Sequence, residues 1–311
     1  MPGPVTTRRG YARDARHPRV ASTICPAHVS PPRARRSVRL TRDEHPPTQG
    51  DEGSAVADRI TEHYQRVAAS YDDHWTYHPD YVRRFAHAIT DALRLTGTDV
   101  IADVGCGTGL YTRQICEDVR PERPILCVDP VPAMLDQVPR VPGLRPVLAR
   151  AEDLASGRVA LPDDVRPDAI VLKESVHHLT DRRETLHGLV ELLSRHGRIL
   201  IVMLPKAIDH PLFREAHERF RERQPDPQEI VDVVAAAGLR TSVSYRTFHA
   251  AFERERYVRM LETRYMSVLG EFSESELRAG VEQFRHAYRD PVLRFDDHFA
   301  FVKGWVRGSD H

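Results

Sequence analysis

The sequence predicts an α/β fold in which a mostly parallel sheet carries helices on both faces. Three observations carry this expectation. Between residues 99 and 204, short runs rich in Val, Ile and Leu alternate with segments of helical period, the signature of parallel strands buried on both faces. A glycine-rich stretch, "GCGTG" (105–109), separates the first of these runs from the helix that follows it. Two further strands close the chain, with helical segments between them.

The elements follow in order. In "AVADRITEHYQRVAASYDDHW" (55–75), Ile60, Tyr64, Val67 and Ala68 fall on one helical face. A second helix, "PDYVRRFAHAITDALRL" (79–95), gathers Tyr81, Val82, Phe85, Ile89, Ala92 and Leu93, and Gly97 is read as its stop. Strand 99–104 then leads to helix 108–119, strand 124–129 to the short helix 132–138, and strand 145–149 follows. Strand 168–174 precedes a helix within 181–195, and Gly197 introduces strand 198–204. Helix 227–238 leads to strand 240–248. Two helical segments, about 253–270 and 274–288, come before a last strand within 294–306. Seven strands result. The last is expected to run antiparallel beside its neighbour at the sheet edge, with the two helices inserted between them as a lid.

Composition limits the functional classes. A chain of 311 residues buries one substantial core. Lys+Arg and Asp+Glu both number 45, so no net field points to nucleic acid or a membrane surface. No apolar run approaches the roughly 20 residues needed to span a bilayer. The four cysteines form no C-x-x-C pair, and no apolar leader opens the chain, so a cytoplasmic setting with reduced thiols is expected. Residues 1–52, rich in Arg and Pro, read as a disordered extension. Residues 53–98 read as a helical cover, and 99–311 as the catalytic domain with its lid.

The glycine loop narrows the ligand. No Gly-Lys-Ser/Thr follows, so it is not a P-loop. A dinucleotide fingerprint requires glycine at position 110, where Leu110 stands. The pattern is Asp103-x-Gly105-x-Gly107-x-Gly109. A carboxylate at the strand end suits a cationic ligand better than a pyrophosphate.

On these residues the chain resembles class I S-adenosylmethionine-dependent methyltransferases of the small-molecule type, over roughly residues 60–205. "VIADVGCGTG" is similar to the family's first motif, and the later motifs appear in order. The resemblance implies a Rossmann-like seven-stranded sheet, S-adenosylmethionine as cofactor and a small-molecule acceptor. It also implies site residues. Asp103, Gly105, Cys106, Gly107 and Gly109 belong to the loop, and Asp129 would hold both ribose hydroxyls. Pro130 and Met134 would flank the adenine, although Met134 reads equally as packing. Ala151, Glu152 and Asp153 would meet the adenine edge, with Arg150 departing from the commonly acidic residue there. In "LKESVHHL" (172–179), Lys173 is placed on the cofactor side. His177 and His178 face the acceptor, as a general base or as packing residues. Tyr71 is a candidate contact to the methionine end, with Tyr64 second, while His74, Trp75 and Tyr77 could face the acceptor.

The lid carries an apolar stripe, Met260, Leu261, Tyr265, Met266 and Leu269, that reads as core or as the roof of a pocket. Arg259 and Arg264 are candidates for an anionic acceptor. No local spacing organises Glu174, His177, His178, Asp296, Asp297 and His298 as metal ligands, and no metal is expected. Oxygen, nitrogen and carbon acceptors stay open. So do a non-catalytic cofactor-binding protein of this fold and a protein or RNA methyltransferase.

Overall fold

The computed structural model describes residues 59–75 and 78–308. The extension 1–52, the start of the first helix and Tyr77 lie outside the described residues.

Residues 59–67 are helical (α1) and pass through a tight turn at Ala68–Ser70 into α2 (Tyr71–Trp75). Helix α3 (Pro79–Leu93) follows, then β1 (Ile101–Val104), α4 (Leu110–Val119), β2 (Ile125–Asp129), α5 (Pro132–Leu135) and β3 (Leu144–Leu148). Next come α6 (Ala151–Ala155), β4 (Ala169–Lys173), α7 (Arg182–Leu192), β5 (Arg198–Met203), α8 (Arg214–Arg223) and α9 (Pro227–Ala236). The long β6 (Arg240–Glu253) and β7 (Val292–Trp305) enclose α10 (Arg254–Glu262) and α11 (Glu274–Ala287).

The seven strands form one sheet in the order β3-β2-β1-β4-β5-β7-β6. Strands β1 to β5 pair in parallel, and β7 runs antiparallel to both β5 and β6. Because side chains alternate along a strand, the sheet feeds two cores. Ile101, Ile125, Cys127, Val171, Leu200 and Val202 face α3 and the lid. Ala102, Val104, Leu126, Val128, Ile170, Leu172, Ile199 and Ile201 face α6, α7 and α9. Strands that are apolar over most of their length are the consequence, and they made the sheet readable.

Helix α3 is as much core as cover. Phe85, Ile89 and Leu93 are essentially inaccessible to water, each stabilising the fold by about 1.5–3 kcal/mol. The helix stops before Gly97, because Arg94 takes the left-handed conformation (φ 48°) and Leu95 N–H donates to Thr90 O at 3.0 Å. Among buried charges, Arg198 ties β5 to the base of α3. It donates to Leu93 O at 2.6 Å and pairs with Asp99 at 2.9 Å.

Three differences from the sequence reading have physical causes. Helix α8 was not expected: in "REAHERFRER" only Ala216 and Phe220 are buried, too thin a stripe to announce a helix. Strand β6 extends to Glu253, where it pairs with Val292 across a ladder of full length. The helix expected over 253–270 breaks after Glu262. There Arg264 turns left-handed (φ 59°) and its guanidinium binds Leu269 O and Phe272 O, giving the tight turn Ser267–Glu271.

Candidate active site

Strand order reverses at β1, whose neighbours are β2 on one side and β4 on the other. Connections leaving β1 and β4 diverge there, so a crevice opens beyond their carboxyl ends, where ligands bind in open α/β sheets. The floor of the crevice comes from the glycine loop and Ser175, one wall from Asp129 to Met134, another from Ala149 to Glu152, and the roof from α1 and Tyr71.

The loop is pulled tightly against the end of β4. Gly105 has φ 80°, and a methyl group there would overlap Cβ of Ser175 and stand 2.8 Å from its Oγ. Only glycine fits both constraints. Ser175 Oγ in turn donates to Val104 O at 3.0 Å. The loop's N–H groups are largely consumed within the fold. Gly105 and Cys106 donate to Val128 O at 2.8 and 3.0 Å, and Gly109 to Cys106 O at 3.0 Å. Gly107 N–H donates to Asp129 Oδ2 at 2.9 Å. A nest for phosphate would need these donors free and aimed outward. They are neither.

Asp129 lines the crevice and is 7% exposed. Its second oxygen accepts from Val131 N–H at 2.9 Å. Each carboxylate oxygen thus has one backbone donor and keeps acceptor capacity for a diol. Burial pushes its pKa up, while the two N–H groups hold it down.

Asp103 is placed differently. Its carboxylate accepts from the Thr112 hydroxyl in the first turn of α4, and it does not line the crevice. Burial raises its pKa to about 6; the hydroxyl opposes this, Asp129 adds to it, and Lys173 opposes it. Any influence on a ligand is exerted through its field.

Gly105, Gly107, Pro130, Met134, Ala151, Glu152, Lys173 and Tyr71 all line the crevice beside Asp129. Cys106, Gly109 and Asp153 do not. The Cys106 thiol donates to Gly107 O at 3.4 Å, Gly109 opens α4 at φ 74°, and Asp153 pairs outward with Arg158 at 2.6 Å. Glu152 is held inward by Thr180 N–H at 3.1 Å. Met134 is 1% exposed and packs with Val67, Ala68 and Val131.

Lys173 ends β4 inside a ring of aromatic faces. Its Nζ lies 4.5 Å from the centroid of Tyr111, 5.1 Å from Phe85, 5.6 Å from Phe299 and 5.7 Å from Trp75. Burial lowers its pKa, opposed by the charges of Glu174, Asp297 and Asp103. The ring quadrupoles compensate part of the lost hydration.

His178 and His177 straddle two cavities. His178 lines the crevice and also a second pocket of about 1100 Å³, and His177 lines the second pocket but not the crevice. Tyr64 hydroxyl and His178 Nε2 share a hydrogen bond at 2.8 Å, and the two histidine rings lie 4.0 Å apart. Burial, aided by Arg182 and Lys173, lowers the His177 pKa to about 4. Burial also drives His178 far down, with His177 and His63 adding to the effect. Both are neutral imidazoles at pH 7.

Other candidates fall elsewhere. The stripe Met260, Leu261, Tyr265, Met266 and Leu269 is core rather than roof, and Arg264 is spent on backbone carbonyls and Glu274. Neither Arg259 nor Arg264 lines the second pocket; the lid reaches it through Ser267, Val268, Gly270 and Glu271. His74 is buried and near Thr263 Oγ1 at 3.3 Å. Asp296 pairs with exposed His249 at 2.6 Å, and buried Asp297 with His210 at 2.6 Å and the Tyr81 hydroxyl at 2.8 Å. His63, Ser175 and Thr108 escaped the sequence reading. Thr108 hydroxyl donates to Asp72 at 2.5 Å and so ties the loop to α2. No local pattern marks these residues, because their partners are distant in the chain.

Comparison with known proteins agrees with this geometry. Residues 102–199 match a family model described as a methyltransferase domain. A protein of Anabaena variabilis, described as a methyltransferase from an antibiotic biosynthesis pathway, has a similar structure. It is 18% identical with a TM-score of 0.56, covering 71% of this chain and 96% of that one. The YcgJ protein of Bacillus subtilis is 15% identical with a TM-score of 0.50, covering 75% of this chain and all of the other. No curated protein matches the chain. The sheet is Rossmann-like, and its crevice presents the Asp129 carboxylate without a phosphate nest. Residues 102–199 thus carry a methyltransferase domain, a domain that uses S-adenosylmethionine, and the sheet has the Rossmann-like methyltransferase fold. Among the described residues, no helix is long and apolar enough to cross a membrane.

Proposed function

We propose that this protein transfers a methyl group from S-adenosylmethionine to a small organic molecule by direct displacement. The observation that carries the proposal is the pairing of two cavities across the contact between Tyr64 and His178. One is the crevice lined by the glycine loop and Asp129, and the other is a pocket of about 1100 Å³.

The cofactor, when bound, supplies an electrophilic methyl on a sulfonium with a neutral leaving group. The chain's tasks are therefore to bind, to orient and to keep water out. We assign the ribose hydroxyls to Asp129. Pro130, Met134, Ala151 and Glu152 would hold the adenine. Gly105, Gly107, Tyr71 and Lys173 would hold the amino-acid end, with Lys173 as partner for its carboxylate. The carboxyl groups of Asp129 and Glu174 line the crevice and would favour a sulfonium and an ammonium.

His178 and His177 are assigned to the acceptor. With pKa values depressed by burial, both stand unprotonated at neutral pH. They can accept a hydrogen bond from an acceptor hydroxyl and take its proton as the methyl arrives, or remove an ammonium's proton beforehand and so free the lone pair that attacks. The free thiols Cys106, Cys116 and Cys127 fit a reducing cytoplasm.

The test is methyl-labelled S-adenosylmethionine supplied to the purified full chain with extract from the source cell, and identification of the labelled product by mass spectrometry. A labelled small molecule is expected. Label confined to protein or RNA fractions would refute the acceptor class.

A further inference from the structure

We propose that the second pocket seats the methyl acceptor and selects one carrying an oxyanion, either a carboxylate or a phosphate group. This rests on the methyl-transfer reading above and adds the chemical class of its substrate.

The pocket lies between α1, the His177–His178 turn, α8 and the turn at Ser267–Glu271. It shares Ile60, His178 and Leu179 with the cofactor crevice, so a molecule seated there lies beside that crevice. Its lining carries five arginines and only two glutamates, Glu62 and Glu271. Arg223 is paired with Glu271, and Arg219 with Glu276 at 3.0 Å. Arg66 and Arg182 are different. Among the described residues, neither has an ion-pair or hydrogen-bond partner. They enter the wall from separate elements, α1 and the start of α7. An arginine fork matches the geometry of carboxylate or phosphate oxygens.

The second observation is His63. Its side chain lines the same pocket and is 4% exposed, yet neither ring nitrogen has a hydrogen-bond partner among the described residues. Nδ1 of His177, also buried, is likewise unpartnered. Buried polar atoms without partners are costly, and these two residues line the same cavity. A ligand with proton-bearing groups and an anionic end would satisfy both the imidazoles and the two guanidinium groups. Burial and Arg66 lower the His63 pKa to about 4, so the histidines do not compete as cations for the anion.

Calorimetric titration of the full chain, saturated with S-adenosylhomocysteine, tests this with four probes of matched size. They are 4-hydroxybenzoate, phenyl phosphate, neutral 4-hydroxybenzamide and cationic 4-hydroxybenzylamine. One or both anions should bind, at least roughly tenfold more tightly than the amide, with no detectable binding of the amine. The carboxylate and phosphate arms distinguish the two sources of the oxyanion. The double variant R66Q/R182Q should lose that preference by roughly tenfold or more while its affinity for S-adenosylhomocysteine stays unchanged. Equal affinity for anion and amide, or undiminished anion preference in the double variant, overturns the inference while leaving methyl transfer intact. Failure of S-adenosylhomocysteine to bind at all overturns the methyl-transfer reading, and the inference with it.

Discussion

Replacing Asp129 by alanine tests the cofactor assignment most directly, and its size can be worked from the site. The carboxylate is 7% exposed and accepts from Gly107 and Val131 N–H groups at 2.9 Å each. On the assigned role it also accepts from both ribose hydroxyls. Hydrogen bonds to a charged group contribute about 1.5–3 kcal/mol each, so losing two weakens the cofactor by about 3–6 kcal/mol. At about 1.4 kcal/mol per decade this is roughly 10²–10⁴-fold in Kd. The same substitution leaves two buried N–H groups without acceptors, at about 1–3 kcal/mol each, so the fold is destabilised as well. Asp129→Asn separates the two effects. It keeps one acceptor oxygen and the side-chain volume, and should fall between wild type and alanine in affinity with a smaller loss of stability. Isothermal titration with S-adenosylhomocysteine reads the first quantity and urea unfolding the second. If Asp129→Ala remains folded and binds with wild-type affinity, the carboxylate does not hold the ribose.

Further outcomes follow from the same geometry. Gly105→Ala should lower stability by about 1–3 kcal/mol in urea unfolding, since the residue combines φ 80° with overlap against Ser175; an unchanged midpoint would show that the loop relaxes freely. Asp103, whose pKa rises from 3.8 unfolded to about 6 folded, binds its proton more tightly in the native state. It therefore contributes a loss of stability of about 3 kcal/mol as pH rises from about 4 to about 6. The stability of wild type relative to Asp103→Asn should fall across that window and stay level above it. His177 and His63, with folded values of about 4 against 6.5, carry the opposite slope. Stability present above about 6.5 is lost as pH falls toward 4, and His177→Gln should reduce that loss in acid titrations followed by circular dichroism. His178→Ala should lower turnover on the identified acceptor by roughly 10²-fold, with cofactor affinity changed far less; equal turnover would make it a structural residue.

The primary structure determined the sheet and the cofactor loop, because both are encoded by neighbouring residues. Strands buried on two faces are apolar over most of their length, so β1, β2, β4 and β5 announce themselves. The turn from β1 to α4 needs left-handed backbone at Gly105, Gly107 and Gly109, which marks it in any reading of the chain. Asp129 is legible for a similar reason, since a carboxylate ending an otherwise apolar strand has no packing role. Elements held mainly by tertiary contacts were not legible. Helix α8 buries too few side chains to show a period, and the break at Arg264 depends on carbonyls that the guanidinium meets only after folding. Orientation was decided late as well. Asp103 turns to Thr112 and away from the crevice, while the lid's apolar stripe turns into the core. The pocket beside the histidine pair is the extreme case. Arg66, Arg182 and His63 come from α1 and α7, separated by more of the chain than any local pattern spans, and only packing of those helices over the sheet brings their charge and their buried nitrogens to one cavity.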